Sequence, residues 1–301
     1  MKYLDTLEAY CEYLEIPPPG YSGFDIRSFE ENMPTIKRQV EPFKHEFYAV
    51  GLLYEGTSHV WNGIPQLTAN ILFNSPYQLI SWEIENDWSG YYLLCTQDFL
   101  SQYGLSDGLL LDFPFLKLDQ VAPFSVPQEK VEVLASLFKD MLTEYRSTHA
   151  DKFEFIAHYL KLLLLNIRRF QPQSSTWENT TEHNMGADVK LVTQFQEHIN
   201  SVFNQDEGSS EHYSTSFYAD LLAIHPNHLN AVVKRITGKT AKHMIQEQVF
   251  LHAKAYLLRS TDSVKEIAFA MGFNEPAHFS SFFKKFAQVT PTQFRRMNAI
   301  S

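Results

Sequence analysis

The chain has 301 residues, enough for two domains, and with 44% apolar and 14% aromatic residues each can bury a core. A net charge of −10 argues against a protein that binds nucleic acid over its whole surface. Two cysteines, Cys11 and Cys95, exclude a disulfide framework or a cysteine-based metal site. No apolar run reaches the roughly 18 residues of a membrane span. The start, Met1-Lys2-Tyr3-Leu4-Asp5, lacks a signal-peptide pattern, so a cytoplasmic location is expected.

Leu4, Leu7, Cys11 and Leu14 share a face and predict an opening helix, ended by Pro17-Pro18-Pro19-Gly20. From Phe24 to about Leu118 the pattern turns to strands. Phe47 to Tyr54, Ile71 to Phe73, Leu79 to Trp82 and Tyr91 to Cys95 are the clearest, and Asn62-Gly63 between His59-Val60-Trp61 and Ile64 predicts a type I′ hairpin. Several short strands separated by turns imply a small barrel or sandwich. Val131, Leu134, Phe138, Met141 or Leu142 and Tyr145 then repeat at helical spacing, as do Phe155 or Ile156, Tyr159 or Leu160, Leu163 and Ile167. They predict a helical hairpin that covers the strands or meets a partner.

A polar stretch from Gln171 to Gly186 reads as a linker, dividing an N-terminal domain (1–170) from a C-terminal one (187–301). Asp188 to Phe203 opens the second domain as a helix. Ser216 to Leu222 predicts a short helix, Ala223-Ile224-His225-Pro226 a turn, and Asn227 to Arg235 a second helix with Leu229, Val232 and Val233 inward. Lys242 to Leu258 is a long linking helix. Ser263 with Glu266 then forms a capping box, and Gly272 stops the helix they begin. Phe273 turns inward, Asn274 can cap the next helix, and Pro276 suits its first turn. Phe279, Phe282 or Phe283, and Phe286 face the core of that helix. Short polar side chains and lysines are left outside, the composition of a helix that can enter the DNA major groove.

Charge follows the same division. Residues 212–301 hold 11 Lys+Arg against 5 Asp+Glu, a net of +6. Residues 1–211 hold 14 against 30, a net of −16. A basic end on an acidic body is the footprint of a DNA-binding domain attached to something else.

Two helix-turn-helix units on a central helix, ending in Val289-Thr290-Pro291-Thr292-Gln293-Phe294-Arg295, resemble the DNA-binding domain of the AraC/XylS transcriptional regulators over about residues 190–301. The Gly272-Phe273 turn, Phe279 and the Phe283-Lys284-Lys285-Phe286 run fall in the family's register. The resemblance implies an α+β chain of two domains. A cupin-like N-terminal β-barrel with a helical hairpin would precede an all-α, homeodomain-like tandem helix-turn-helix domain. It implies double-stranded DNA as partner, with Asn227, Asn230 and Ala231 base-facing in the first unit. Glu275, Pro276, Ala277, Ser280 and Ser281 are their counterparts in the second. Lys234, Arg235, Lys284 and Lys285 would meet phosphate. A homodimer through residues 127–170 and a contact with RNA polymerase are further family expectations. Ala223 stands where the family usually has Gly, at a cost of roughly 1 kcal/mol if its backbone is left-handed. Ala231 and Ser281 replace the family's frequent long base readers, so DNA shape should contribute more to recognition.

Chemistry for catalysis is not evident. The 12 histidines include no His-x-His, and His45 and His59 are isolated, so no metal and no cofactor are expected. His225 and His228 have ligand-like spacing, but they open a recognition helix and suit capping, packing or phosphate better. No nucleophile elbow, Walker loop or dinucleotide fingerprint occurs. If the N-terminal domain holds a small-molecule effector, Phe47, Tyr48, Tyr54, Trp61 and Trp82 are the lining candidates, with Trp88 and Tyr91 beside them. The expected function is a bacterial-type transcription regulator whose N-terminal domain senses a small molecule, dimerises, or both. The alternative is a small-molecule-binding or enzymatic barrel with a helical interaction appendage. A DNA-repair variant would need an acceptor cysteine in a cysteine-rich metal site, which is lacking.

Overall fold

The computed structural model describes residues 2–53, 60–61, 64–65, 70–84, 88–106, 108–119, 124–170, 186–202 and 210–298. The chain forms two compact units. One comprises Met1–Leu100 with Phe113–Met185, the other Ser101–Asp112 with Gly186–Ser301.

In the first unit, strand β1 (Lys2–Leu4) precedes helix α1 (Leu7–Leu14). Thr6 starts the helix, its hydroxyl accepting the Ala9 N–H. Glu15 ends it in a left-handed conformation, φ 61°, before the prolines are reached. Leu7, Cys11 and Leu14 are buried as their spacing predicts. Leu4 lies in β1 instead, because the cap at Thr6 forbids an earlier helical start. Next come β2 (Phe24–Ser28), α2 (Phe29–Asn32), β3 (Gln39–His45), β4 (Tyr48–Leu53), β5 (Val60–Trp61), β6 (Ile64–Pro65), β7 (Asn70–Asn74), β8 (Ile80–Glu83) and β9 (Gly90–Cys95). After α3 (Gln97–Gln102) and α4 (Leu109–Asp112), the unit is completed by β10 (Phe124–Ser125), α5 (Gln128–Arg146) and α6 (Lys152–Phe170).

The strands form two five-stranded sheets, in the orders β1-β3-β8-β5-β6 and β10-β7-β4-β9-β2. Closure into one barrel is not seen among the described residues. Val60 and Trp61 pair antiparallel with Pro65 and Ile64, as a hairpin requires, while its turn, Asn62-Gly63, lies outside the described residues. So do Tyr54 and the linker from Gln171 to Met185. The core holds Leu7, Phe43, Phe47, Trp82 and Leu94.

The predicted helical hairpin is α5 with α6. Leu134, Phe138 and Met141 of α5 are buried, as are Ile156, Leu160, Leu163 and Ile167 of α6. A polar knot fixes α5 to β2. The Tyr145 hydroxyl donates to Asp25 Oδ1 at 2.8 Å and accepts the Gly20 N–H at 2.8 Å. Arg27 donates from Nε to Asp25 Oδ2 at 2.7 Å and from Nη2 to Pro18 O at 3.0 Å. A buried carboxylate is tolerable only with partners of this kind.

The second unit holds α7 (Ala187–Val202), α8 (Thr215–Leu221), α9 (Pro226–Thr237), α10 (Ala241–Arg259), α11 (Val264–Ala270), α12 (Pro276–Ala287) and α13 (Pro291–Asn298). Helix α10 is buried on several sides, at Met244, Ile245, Gln248, Val249, Leu251, Ala255 and Leu257, as a helix clasped by both helix-turn-helix pairs must be. Residues 101–112 also pack here. Ser101 Oγ donates to Leu251 O at 3.0 Å, and Arg259 Nη2 donates to Ser101 O at 2.7 Å. Gly104 has φ 75°, and a Cβ there would lie 2.9 Å from Arg259 Nη2. Only glycine suits both that backbone and that approach.

Candidate nucleic-acid interface

Each helix-turn-helix unit follows from local chemistry. In the second, the Ser263 hydroxyl accepts the Glu266 N–H at 3.2 Å, and Glu266 Oε2 accepts the Ser263 N–H at 2.8 Å. This is the predicted capping box. Helix α11 then runs to the turn at Gly272, where φ is 77°. Phe273 packs on Tyr213, Phe279 and Phe282 with ring centroids 5.3 to 5.6 Å apart. Phe279 and Phe283 are fully buried. Asn274 does not cap α12. Glu275 holds the N-cap backbone position without a side-chain bond, and Pro276 follows at the first turn. Pro276 has no N–H, so one fewer donor is left open at this helix start.

The first unit repeats this plan with a turn one residue shorter, Ala223 to Pro226 against Gly272 to Pro276. Helices α9 and α12 have 12 residues each, both begin with proline and both end at a left-handed residue, Gly238 or Gln288. Counting from the proline, Asn227 matches Ala277, His228 matches His278, Asn230 matches Ser280, Ala231 matches Ser281, Lys234 matches Lys284, and Arg235 matches Lys285. Ala223 occupies the turn position of Gly272 with φ 53°, so the left-handed backbone is present despite its Cβ. His225 caps α9, its Nδ1 accepting the Asn227 N–H at 3.2 Å. That capping role accounts for its position before α9.

The predicted DNA-facing side chains divide into two sets. Asn227, Ala231, Lys234, Glu275, Ala277, Ser281, Lys284 and Lys285 are exposed, and Pro276 and Ser280 are half-buried. Lys234 and Lys284 make no ion pair among the described residues. Asn230 and Arg235 are committed elsewhere. Asn230 Oδ1 accepts the Ala241 N–H at 3.1 Å and so helps to start α10. The matched position in the second unit is Pro291, which has no N–H, and there Ser280 replaces the asparagine. Arg235 donates from Nε to Asp188 Oδ2 at 2.9 Å, and from Nη2 to the same oxygen. His278, exposed at the same offset as His228, was not singled out in the sequence, although that shared offset marks it.

The terminal Phe294-Arg295 pair is structural. Phe294 packs on Phe283 at 5.3 Å, and Arg295 donates to Leu257 O at 3.1 Å and Asp262 O at 2.6 Å. Thr290 and Gln293 bond reciprocally, N–H to side chain, and begin α13. No group of three or more potential metal ligands occurs among the described residues, and no helix there is long and apolar enough to cross a membrane.

Of the effector candidates, Trp82 lines a cavity in the first unit, and Trp88 joins it. Phe47 is stacked on His45 at 4.2 Å within the core, Tyr48 is buried away from the cavity, and Tyr91 stacks on Phe138 at 5.9 Å. Tyr54 and the Trp61 side chain lie outside the described residues.

Two matched helix-turn-helix units with short, polar and basic outer faces define a DNA-binding domain. A family model described as a helix-turn-helix domain matches residues 218–297. The transcriptional regulator GlxA of Rhizobium meliloti is 37% identical over 78 residues, 26% of this chain and 24% of GlxA. The bifunctional transcriptional activator/DNA repair enzyme AdaA of Bacillus subtilis is 33% identical over 94 residues, covering 31% and 44% of the two chains. This chain thus spans less than half the length of either relative. The transcriptional activator RhaR of Mannheimia succiniciproducens is 25% identical over 292 residues, 88% of this chain and 92% of RhaR. Among solved structures, the C-terminal domain of the response regulator AraT from Geobacillus stearothermophilus is similar, with 25% identity, 37% and 91% coverage and a TM-score of 0.33. The C-terminal domain belongs to the AraC-type helix-turn-helix family.

Proposed function

We propose that the protein is a sequence-specific transcription regulator of the AraC/XylS type. The observation that carries this reading is the shared register of α9 and α12, with lysines at matched exposed positions. Each helix would enter one turn of the major groove. Asn227, Ala231, Ala277 and Ser281 would face base edges, and Lys234, Lys284 and Lys285 would meet phosphate. His228 and His278 flank the same faces. In this reading the N-terminal unit is a cupin-like sensor of a small molecule, and the cavity beside Trp82 supports it. Val133, Phe155 and Leu162 of α5 and α6 are 44 to 49% exposed, which supports a dimer through that hairpin. A contact with RNA polymerase follows the family's habit.

The test is selection of DNA sites by the full-length protein, followed by anisotropy titration of the winners across salt concentrations. An asymmetric site of about two helical turns with a steep salt slope is expected. Lys284→Ala with Lys285→Ala should weaken binding to all sequences and reduce the slope by about 2. No enriched site, or a slope unchanged in the double variant, contradicts the reading.

A further inference from the structure

Strand β4 lies at the centre of its sheet, yet it carries small residues where a core strand normally carries large ones. Ala49 and Gly51 lie on one face, two residues apart. The ladder sets them in two adjacent rows, Asn74-Ala49-Leu94 and Leu72-Gly51-Tyr92. These six residues floor a cavity that Phe29, Trp82 and Trp88 help to enclose, with Tyr10 and Leu14 of α1 above. Its volume is about 50 Å³, the space of a few water molecules, and it opens to solvent at a mouth.

Packing does not demand the glycine. Gly51 is not among the residues with positive φ. A Cβ there would meet Phe29 Cζ at 3.4 Å and Leu72 Cβ at 3.6 Å, ordinary contacts. Alanine would fit and would hold the strand better, so what glycine adds is room.

The wall decides the occupant. Among the described residues no charged side chain lines the cavity. Two of its polar groups are already engaged. Trp82 Nε1 donates to Lys37 O at 3.1 Å, and the Tyr92 hydroxyl accepts from Asn32 Nδ2. Asn74 differs: it is 5% exposed, and its Nδ2 makes no hydrogen bond among the described residues. An unpaired buried donor is costly, and a ligand can relieve that cost. A carboxylate or ammonium would lose its hydration without gaining a counter-charge. A sugar would exchange many hydrogen bonds to water for one or two.

We propose that this cavity binds a small, uncharged, mainly apolar ring compound whose single carbonyl or hydroxyl oxygen accepts a hydrogen bond from Asn74 Nδ2. Trp82, Trp88 and Phe29 supply aromatic contact, and the hollow at Ala49 and Gly51 seats the ring. The regulatory consequence rests on the sensor reading above, whereas the binding itself needs no DNA.

The experiment is a tryptophan-fluorescence titration of the full-length protein with four probes: 4-phenyl-2-butanone, butylbenzene, 4-phenylbutyrate and D-glucose. The ketone should saturate roughly tenfold more tightly than the hydrocarbon or the carboxylate, and glucose should not bind. Asn74→Leu should erase the ketone's advantage while leaving butylbenzene bound, and Ala49→Leu should weaken both about tenfold. Circular dichroism checks the fold of each variant, and the ranking in the unmodified protein decides should either unfold. The proposal is overturned if no probe saturates, if the carboxylate or glucose equals the ketone, or if folded Asn74→Leu keeps the preference. Anisotropy on DNA without probe separates the two readings. Intact DNA binding with no probe bound sinks only the cavity, and ketone binding without DNA binding sinks only the regulator.

Discussion

Ala223 and Gly272 hold the same turn position and the same left-handed backbone, at φ 53° and 77°. The two helices of each unit meet at a fixed angle only if that one residue reverses the chain, so the geometry is retained even where a Cβ opposes it. Ala223→Gly should therefore stabilise the C-terminal unit by about 1 kcal/mol, read as a higher midpoint in calorimetry; a lowered midpoint would refute the strain. His45 gives a second effect at this scale. Burial among Tyr10, Phe43 and Phe47 pushes its imidazole down to about 3, so it is neutral in the folded unit. The unfolded chain binds the proton near the ordinary value of 6.5. The stability contribution is full above that pH and is lost as pH falls from there toward 3, by up to about 1.4 kcal/mol per pH unit. His45→Phe should flatten urea-measured stability between about pH 6.5 and 4. An unchanged slope would show that another group dominates.

At the scale of elements, the two recognition helices share a register but solve their exits differently. Helix α10 begins at Ala241, whose N–H needs an acceptor, and Asn230 reaches across to provide it. Helix α13 begins at Pro291, which has no such need. A double-mutant cycle follows. Asn230→Ala should cost about 1 kcal/mol in the native background, and nearly nothing once Ala241→Pro has removed the donor. Proline is compatible there, since Ala241 is the first helical residue and Thr240 before it is extended. Equal costs in both backgrounds, measured by thermal melts, would reject the cap and return Asn230 to the DNA-reading face. Arg235 belongs with it, since its pairing with Asp188 of α7 ties the first unit's recognition helix to its own domain.

On the scale of the whole molecule, the acidic and basic parts of the sequence separate into the two folded units, except that residues 101–112 and 186–211 belong with the second. Leu251 and Arg259 of α10 hold the 101–112 segment. A fragment of residues 186–301 lacks it and would leave that side of α10 bare. Such a fragment should melt below the matching transition of the full chain, and adding residues 101–112 as a separate peptide should recover part of the loss. Identical melting temperatures would mean that the segment contributes nothing to the unit.

The sequence by itself determined what depends on neighbours a few residues apart. The capping box at Ser263 and Glu266, the stop at Gly272, the phenylalanine stripe of α12 and the α5–α6 hairpin were all legible, because caps and helical periodicity act within two or three turns. Tertiary structure decided whatever joins distant positions. It gave Asn230 to Ala241 and Arg235 to Asp188, carried residues 101–112 into the second unit, and set Ala49 and Gly51 beside Asn74, Leu72, Tyr92 and Leu94 as the floor of a cavity. Strand register and long-range hydrogen bonds leave no local period in the chain, so the sequence pointed to Trp82 and Trp88 of the cavity wall but not to its floor at Ala49 and Gly51. Small residues at the centre of a sheet mark that hollow, since it is made by what a strand omits.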